Sequence, residues 1–431
     1  MKPLFLVMLI GLPASTLAQA PAIDLDYART YFEELRQLGN ADGGKLWGVA
    51  VAGPMLFADR TTRMVVANMP DLDGILEERN GVWVGTLSAD QNVSNSAITW
   101  AGREWSMVMW PVSDNRYARG RLLMHESFHR IQDELGLPAV DRAPAHLASA
   151  EARIWTRLEW RALTDALLRM DAERKQALED ALVFRARRRM GFKDAAEDER
   201  LLEVNEGLAE YTGLVLSGLP RSALADRAAV QLAQYEQQDN FARGFAYASG
   251  PAYALLLDEA SKSWRSRLKA SSDLTELAAR AYGINAVDAA SAEARVSRYA
   301  GARMIADERA REAQRLAAEA KLRARLVDGP TLTLPAMQRF RYSFDPNGAV
   351  PMQDIGTAFE SSRITDEWGV LDVSSGGVLL RRTGGNVTAA VVAAPDGDQA
   401  PLKGEGWTLQ LEPGWTIRAG ERKGDWTIAP E

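Results

Sequence analysis

The chain contains 431 residues, of which 46% are hydrophobic and 25% charged, and it carries a formal net charge of −7 and no cysteine. This composition is typical of a folded globular protein, and the length predicts two or three domains. The mixture of acids and bases gives no electrostatic basis for binding nucleic acid or an anionic membrane. Without cysteine, a transition-metal site must use histidine and carboxylate ligands.

Residues 1–20 have the pattern of an export signal peptide. Lys2 precedes a short apolar run from Leu4 to Leu12, and small residues suited to cleavage surround Ala18. The run is too short to span a bilayer, and no later stretch is long and apolar enough. The sequence therefore predicts an exported protein, periplasmic or secreted, with no integral membrane segment. A buried N-terminal helix is the alternative interpretation.

Residues 21–112 have the pattern of a small α+β region. Apolar residues at helical spacing predict a helix over 24–39, which Gly39 ends. Runs rich in β-branched and aromatic residues predict five strands, at 46–56, 62–68, 81–87, 96–100 and 104–111. Gly102 predicts a hairpin turn between the last two strands, and a mostly antiparallel sheet is expected.

The next predicted helix carries the sequence His125-Glu126-Ser127-Phe128-His129. Ser113 or Asp114 is the expected N-cap, and Gly136 the expected end. Positions i and i+4 lie on the same helical face, so both imidazoles can bind one metal ion. Glu126 can reach a water at that metal but not the metal itself. This is the arrangement of zinc hydrolases; a helix with two incidental histidines is the alternative.

Residues 147–191 have the periodicity of charged amphipathic helices. The run from Arg185 to Arg189 is interpreted as a solvent-exposed face, with recognition of an acidic ligand as the alternative. His146 is interpreted as a surface or loop histidine rather than a metal ligand.

A second acidic motif reads Asn205-Glu206-Gly207-Leu208-Ala209-Glu210. Spacings of three and four predict that Glu203, Glu206 and Glu210 lie on one helical face. That face suits one metal ligand and its supporting carboxylates; an ordinary acidic helix surface is the alternative.

Together, H-E-x-x-H and N-E-G-x-A-E resemble the gluzincin metallopeptidases, the group that contains thermolysin and the aminopeptidase N family. The resemblance implies a zincin-like catalytic domain in which His125, His129 and Glu206 bind Zn²⁺. It also implies that Glu126 is the general base and that Glu210 supports a ligand histidine by a hydrogen bond.

The chain departs from this resemblance in two ways. The two motifs are 77 residues apart, more than is usual in these families, so residues 147–191 are interpreted as an insertion that could form a wall or lid. No G-A-M-E-N-like exopeptidase signature precedes the histidine helix, which argues against aminopeptidase activity. The strand at 104–111 occupies the place of the edge strand that aligns an extended substrate in gluzincins.

A third motif, Tyr247-Ala248-Ser249-Gly250, resembles the Y-x-x-G sequence of the aminopeptidase N family. The resemblance implies that the Tyr247 hydroxyl donates to the oxyanion that develops during catalysis. Tyr253 and Tyr211 are alternative candidates for this hydrogen-bond donor. A purely structural alternative is that Tyr247 packs in the core.

Helical spacing disappears at Gly329-Pro330, and glycine-rich turns with short β-like runs follow. Residues 329–431 are predicted to form a β-sandwich or barrel. Three related segments that begin at Trp407, Trp415 and Trp426 predict a meander, and the tryptophans are interpreted as core residues rather than ligand-binding ones.

The sequence therefore predicts an α+β protein. Residues 21–328 form a gluzincin-like domain, with a sheet-containing part at 21–112 and a helical part at 113–328, and an all-β domain follows. The predicted function is an exported zinc metallopeptidase that acts on peptide or protein substrates. Two alternatives stay open: a zinc hydrolase acting on another amide in envelope material, and a binding or assembly protein that keeps the zinc site without turnover.

Overall fold

The computed structural model describes residues 23–88, 91–137, 139, 140, 142, 144–238, 241–344, 349–352, 355–384, 386–397 and 401–431. The predicted signal peptide, residues 1–20, lies outside the described residues. The chain divides into two units, Met1–Ile305 and Ala306–Glu431. The protein has the predicted α+β composition, with an all-β region in its C-terminal part.

The first unit begins with a helix and a six-stranded sheet. The elements are α1 (Leu25–Asp42), β1 (Met55–Asp59), β2 (Met64–Ala67), β3 (Glu77–Arg79), β4 (Val82–Thr86), β5 (Ser96–Trp100) and β6 (Arg103–Trp110). The strand order is β3-β4-β2-β1-β6-β5. Four neighbouring pairs are antiparallel, and β1 and β6 are parallel, so the sheet is mixed rather than purely antiparallel.

The hairpin at Gly102 and the helix predicted over 24–39 are confirmed, but the predicted end at Gly39 is wrong, because α1 continues to Asp42 and Gly43 caps it. Trp100 pairs with Arg103 across the turn, and Gly102 has a φ of 74° that glycine adopts without strain. The predicted strand over 46–56 is wrong for most of its length. Residues 43–47 form a turn, and Leu46 and Trp47 pack against the core as turn residues.

The helices of the first unit follow the sheet. They are α2 (Arg116–Ile131), α3 (Ala150–Leu168), α4 (Asp171–Met190), α5 (Ala195–Leu202), α6 (Leu208–Val215), α7 (Leu224–Glu236), α8 (Phe241–Ala260), α9 (Leu274–Ala281) and α10 (Ala292–Arg295), with α11 (Gly301–Arg323) containing the boundary between the units. Among the described residues, every helix is too short or too polar to span a bilayer.

Helix α2 lies between two hydrophobic cores. Leu123, Met124 and Ile131 pack with the sheet and α1, whereas Phe128 packs with the helices that follow. Its N-cap is Asn115, whose side chain accepts the N–H groups of the second and third helical residues. The predicted caps Ser113 and Asp114 are therefore wrong, and the helix ends at Ile131, before Gly136.

Helices α3 and α4 confirm the predicted helical character of residues 147–191. Their apolar faces, including Trp160 and Phe184, belong to the same core as Phe128 of α2 and Tyr253 of α8. The α3–α4 hairpin, which consists of these two helices and the turn between them, therefore supports the other helices from within the core of the unit.

The second unit contains two sheets of seven and five strands. The strands are β7 (Thr331–Pro335), β8 (Arg341–Phe344), β9 (Ala349–Met352), β10 (Gly356–Phe359), β11 (Ser362–Asp366), β12 (Gly369–Val373), β13 (Val378–Thr383), β14 (Asn386–Ala393), β15 (Leu402–Gly404), β16 (Trp407–Leu411), β17 (Trp415–Ala419) and β18 (Trp426–Pro430). Their orders are β17-β18-β7-β14-β13-β10-β9 and β15-β16-β12-β11-β8.

One hydrophobic core joins the inner faces of the two sheets, with Leu380 from one and Leu371 from the other. Of the two predicted architectures, this is a β-sandwich. Trp407 is buried in that core, and Trp415 and Trp426 pack against it, as predicted. The predicted meander is wrong, because β16 lies in the five-stranded sheet and the β17–β18 hairpin in the other.

Candidate metal centre

Two imidazoles and one carboxylate converge between α2 and the turn that precedes α6. The Nε2 atoms of His125 and His129 lie 3.2 Å apart. Oε2 of Glu206 lies 3.4 Å from Nε2 of His125 and 3.6 Å from Nε2 of His129. Three ligand atoms of the types that bind transition metals therefore surround one point, and these residues could hold a metal ion.

The other nitrogen of each imidazole is engaged by a side-chain oxygen. Nδ1 of His125 lies 3.0 Å from Oε2 of Glu210, as the sequence predicts for a supporting carboxylate. Nδ1 of His129 lies 3.0 Å from Oε1 of Gln132. When Nδ1 donates to these oxygens, each ring is left with a free electron pair at Nε2, the form that binds a metal.

Gln132 and Asn205 form a link that sequence reasoning missed. Nε2 of Gln132 donates to Oδ1 of Asn205 at 3.2 Å, and Nδ2 of Asn205 donates to Oε1 of Glu206 at 3.4 Å. The link connects His129 with Glu206 through two amides. The available signals were the i+3 spacing of Gln132 from His129 and the position of Asn205 directly before Glu206.

Tyr247 is the tyrosine that reaches this cluster. Its hydroxyl donates to Oε2 of Glu206 at 2.5 Å, and its ring stacks on the His125 imidazole at a centroid distance of 5.5 Å. The two alternative tyrosines lie in other networks. Tyr253 donates to Glu159, and Tyr211 to Asp258.

Glu210 is held from two further sides. Its Oε1 accepts a hydrogen bond from Nε2 of Gln231 at 2.9 Å and forms an ion pair with Arg121. Gln231 also donates to the backbone carbonyl of Tyr247, so α7 fixes both the supporting carboxylate and the tyrosine.

Glu126 is buried beside the cluster, with 4% of its surface exposed. Its Oε2 atom has no hydrogen-bond partner within the described residues. Burial raises the pKa of Glu126 to about 7; the charge of Glu206 adds to this effect and that of His129 opposes it. A buried carboxylate oxygen that lacks a partner fits a site completed by a metal ion and its water.

The electrostatics of the cluster keep Glu206 ionised. Burial opposes ionisation, but hydrogen bonds with His125 and His129 lower the pKa of Glu206 below its ordinary range. Burial lowers the pKa of His125. For His129, burial acts in the same direction but Glu206 outweighs it, so the pKa is raised. The ionised carboxylate of Glu206 and the neutral imidazole of His125 are the forms that bind a metal.

Glu206 lies in a π-helical turn, Glu203–Gly207, between α5 and α6. Such a turn adds one residue to the helix and rotates the side chains that precede it relative to those that follow. Both oxygens of Glu203 accept from Arg185, at 2.7 and 2.8 Å, and Oε1 also accepts from Ser249. The prediction that Glu203 shares a face with Glu206 and Glu210 is therefore wrong.

Two glycines allow the elements around the cluster to approach closely. A Cβ atom on Gly250 of α8 would lie 2.4 Å from Cα of Gly207, directly after Glu206. A Cβ atom on Gly213 of α6 would lie 2.5 Å from the carbonyl oxygen of Arg121. Both distances are shorter than atoms tolerate, so α8 and α2 pack on the ligand-bearing segment through positions that must lack a side chain.

Behind the ligand-bearing turn, a buried ion network occupies the interior. Its arginines are Arg185, Arg188 and Arg189, and its acids include Glu159 and Glu199, joined by contacts of 2.6–2.8 Å. Arg185 and Arg188 are fully buried. The interpretation of this run as a solvent-exposed face is therefore wrong.

His146 belongs to the same network. Its side chain is 6% exposed, and Nε2 lies 2.9 Å from Oε1 of Glu199. The interpretation of His146 as a surface or loop histidine is wrong, whereas the expectation that it stays outside the metal cluster is confirmed.

A cleft of about 310 Å³ opens onto the cluster. Besides the motif residues, it is lined by Asn95, Ala118, Arg121 and Leu122, and residues of the α3–α4 hairpin are not among those lining it. Asn95 directly precedes β5, one of the two outermost strands of the sheet. The predicted edge strand at 104–111 is wrong, because β6 lies between β1 and β5.

Comparisons with protein-family models, with curated proteins and with solved structures find no match to this chain. The class of site is therefore defined by its geometry: a candidate mononuclear metal centre with two histidine ligands and one glutamate ligand.

Proposed function

We propose that the protein is an exported zinc-dependent peptidase. The observation that carries the proposal is the meeting of His125, His129 and Glu206 at one point, although 77 residues separate the last two in the sequence. Two imidazoles and one carboxylate are the ligand set of many catalytic zinc sites, and three protein ligands leave a position open for water or substrate.

Zinc at this site would lower the pKa of a water molecule and polarise a carbonyl group. Glu126 would act as the general base. This role is supported by its buried Oε2, which has no hydrogen-bond partner within the described residues, and by burial, which raises its pKa to about 7. A carboxylate with that pKa can accept a proton from water and later pass it to the departing amine.

Tyr247 supplies a hydrogen-bond donor at the same cluster. Burial, together with the charge of Glu206, raises the pKa of its hydroxyl, so the phenol keeps its proton at neutral pH. Donation to a carbonyl oxygen that gains negative charge would stabilise the transition state of amide hydrolysis. In that step the hydroxyl would exchange its present acceptor, Oε2 of Glu206, for the substrate oxygen.

The edge of the sheet supports a peptide as substrate. Strand β5 pairs with β6 on one side and lies at the end of the described strand order. An extended chain can hydrogen-bond to the free edge of such a strand through its backbone. Asn95 connects this edge with the cleft at the metal ligands.

The proposal is tested by comparing wild type with Glu126→Gln. We expect both proteins to bind one zinc ion, measured by elemental analysis, and the variant to cleave a mixed peptide library about 100-fold or more slowly. Glu134→Gln is the matched control, because Glu134 is exposed in the turn after α2. Equal activity of wild type and Glu126→Gln would remove the catalytic role.

Two further outcomes separate the alternatives. Cleavage of amides in envelope glycans or lipids, without cleavage of peptides, would indicate a different zinc hydrolase. Stoichiometric zinc without turnover of any amide would indicate a binding or assembly protein.

A further inference from the structure

Arg121 lies one helical turn before His125 on the face of α2 that lines the cleft. Its side chain is 19% exposed. None of the three sequence motifs includes Arg121, and the proposed chemistry of Glu126 and the metal ligands does not use it.

Only part of the hydrogen-bonding capacity of the Arg121 guanidinium is used by other side chains. Its Nη2 forms an ion pair with Oε1 of Glu210, and no other hydrogen bond of Arg121 occurs within the described part of the chain. An arginine has five N–H donors in a planar fork. Glu210 also supports His125, so one carboxylate alone separates the guanidinium from a candidate metal ligand.

A second guanidinium lies near the first. Arg227 is one turn before Gln231 on α7, and it has no hydrogen-bond or ion-pair partner among the residues that the structure describes. Burial, and then the positive charge of Arg227, lower the pKa of Arg121 to about 10, which leaves Arg121 protonated at neutral pH. Among the described residues, Glu210 therefore pairs with Arg121, while the positive charge of Arg227 has no carboxylate paired with it.

We infer that Arg121 recognises a carboxylate of the substrate, so that the site selects peptides with an anionic group close to the cleaved bond. A carboxylate matches the planar fork of arginine and can accept two parallel hydrogen bonds. Its source is either the free C-terminus of the peptide or an aspartate or glutamate side chain. The inference rests on the proposed peptidase function and names its substrate class.

Two pairs of matched peptides test the inference and separate the two sources. One pair differs in a free or amidated C-terminus, and the other in an internal glutamate or glutamine. We expect the zinc-loaded wild type to prefer the carboxylate member of at least one pair by about 10- to 100-fold in kcat/KM. Equal rates within both pairs would overturn the inference.

Arg121→Met tests the residue itself, with Arg116→Met as the matched control, because Arg116 is exposed on the same helix. We expect Arg121→Met to lose the preference through a higher KM for the carboxylate peptides, while the neutral peptides keep their KM. A preference that survives in Arg121→Met would overturn the inference. An equal loss for both members of each pair would also overturn it, because Arg121 would then act only by positioning Glu210.

If Arg121→Met does not bind zinc, Arg121→Lys tests the inference in its place. Lysine retains a charge for Glu210 but lacks the planar fork, so the preference should fall several-fold with zinc still bound. A preference equal to that of wild type would overturn the inference.

Equilibrium binding to zinc-loaded Glu126→Gln separates this inference from the proposed function. Selective binding of the carboxylate peptides without cleavage by wild type would support Arg121 and refute the peptidase. Cleavage by wild type without any selectivity between the peptides would support the peptidase and refute the role of Arg121.

Discussion

Gly250 and Gly207 meet without space for a side chain between them. The distance of 2.4 Å between a Cβ atom on Gly250 and Cα of Gly207 is shorter than real contacts allow. Gly207 directly follows Glu206, so helix α8 presses on the backbone that presents the candidate ligand. The glycine of the Tyr247–Gly250 motif thus has a steric function, in addition to any role of the tyrosine.

Gly250→Ala is expected to displace the turn that carries Glu206. Overpacking of this kind costs about 1–3 kcal/mol of unfolding free energy, and the displacement should also weaken zinc binding. Chemical denaturation and zinc titration measure the two effects. Gly397→Ala is the control, because no atom lies within 4 Å of the added methyl group there. If Gly250→Ala had the stability and zinc affinity of wild type, α8 would be able to move away from Gly207 without a loss of unfolding free energy.

Gln132→Ala is expected to weaken zinc binding about 10- to 100-fold. The substitution removes the acceptor of His129 Nδ1 and the link to Asn205, so the imidazole loses its fixed orientation. Competition with a chromophoric chelator measures the affinity. Gln234→Ala, at an exposed position of α7, is the control. Unchanged affinity would mean that packing alone orients His129.

Tyr247→Phe separates catalysis from positioning. At saturating zinc, we expect kcat for a cleaved peptide to fall about 100-fold or more, because the donor to the developing oxyanion is lost. Steady-state kinetics at several zinc concentrations provide the measurement. A normal kcat with weaker zinc binding would contradict this role and leave Tyr247 as the hydrogen-bond donor that holds Glu206.

Glu199 links stability to pH. Burial raises its pKa, but Arg188, His146 and Arg189 outweigh burial and hold the pKa well below its ordinary value. The folded pKa is thus below the unfolded one, so the stabilisation is complete above about pH 4.5 and is lost as the pH falls further.

Glu199→Gln is therefore expected to lower the unfolding free energy by about 3–5 kcal/mol at neutral pH, because Arg188 loses a buried partner. The deficit should shrink as the pH falls below 4.5. Urea unfolding at a series of pH values measures both effects. Glu197→Gln is the control, since the side chain of Glu197 is 51% exposed where it pairs with Arg200; equal stability of the two variants would refute the buried network as a stabilising element.

The pair His125 and His129 and the pair Glu206 and Glu210 could be predicted, because the two residues of each pair lie one helical turn apart in the sequence. The i, i+4 spacing fixes His125 and His129 on one face whatever surrounds the helix. The meeting of Glu206 with them is a tertiary fact, and the sequence supplied it only through resemblance to known motifs. The support from Gln132 and Asn205 was missed because their hydrogen bond joins two segments far apart in the sequence, and local spacing does not predict such a contact.

The errors in the fold have a common physical cause. Strand order and burial depend on residues far away in the sequence, so β6 was expected at the edge of the sheet and lies inside it. The arginine run at 185–189 has the composition of a solvated surface, yet Glu159, Glu199 and Glu203 come from other segments and neutralise it in the interior. Composition alone does not distinguish these two situations.

The burial of His146 against Glu199 gives the molecule an internal spectroscopic reference. The whole chain has three histidines, two at the candidate metal centre and this one in the buried ion network. An imidazole nitrogen NMR spectrum of the protein therefore contains three side-chain spin systems. Titrated zinc would shift two of them, and the third would report whether the helical interior stays intact.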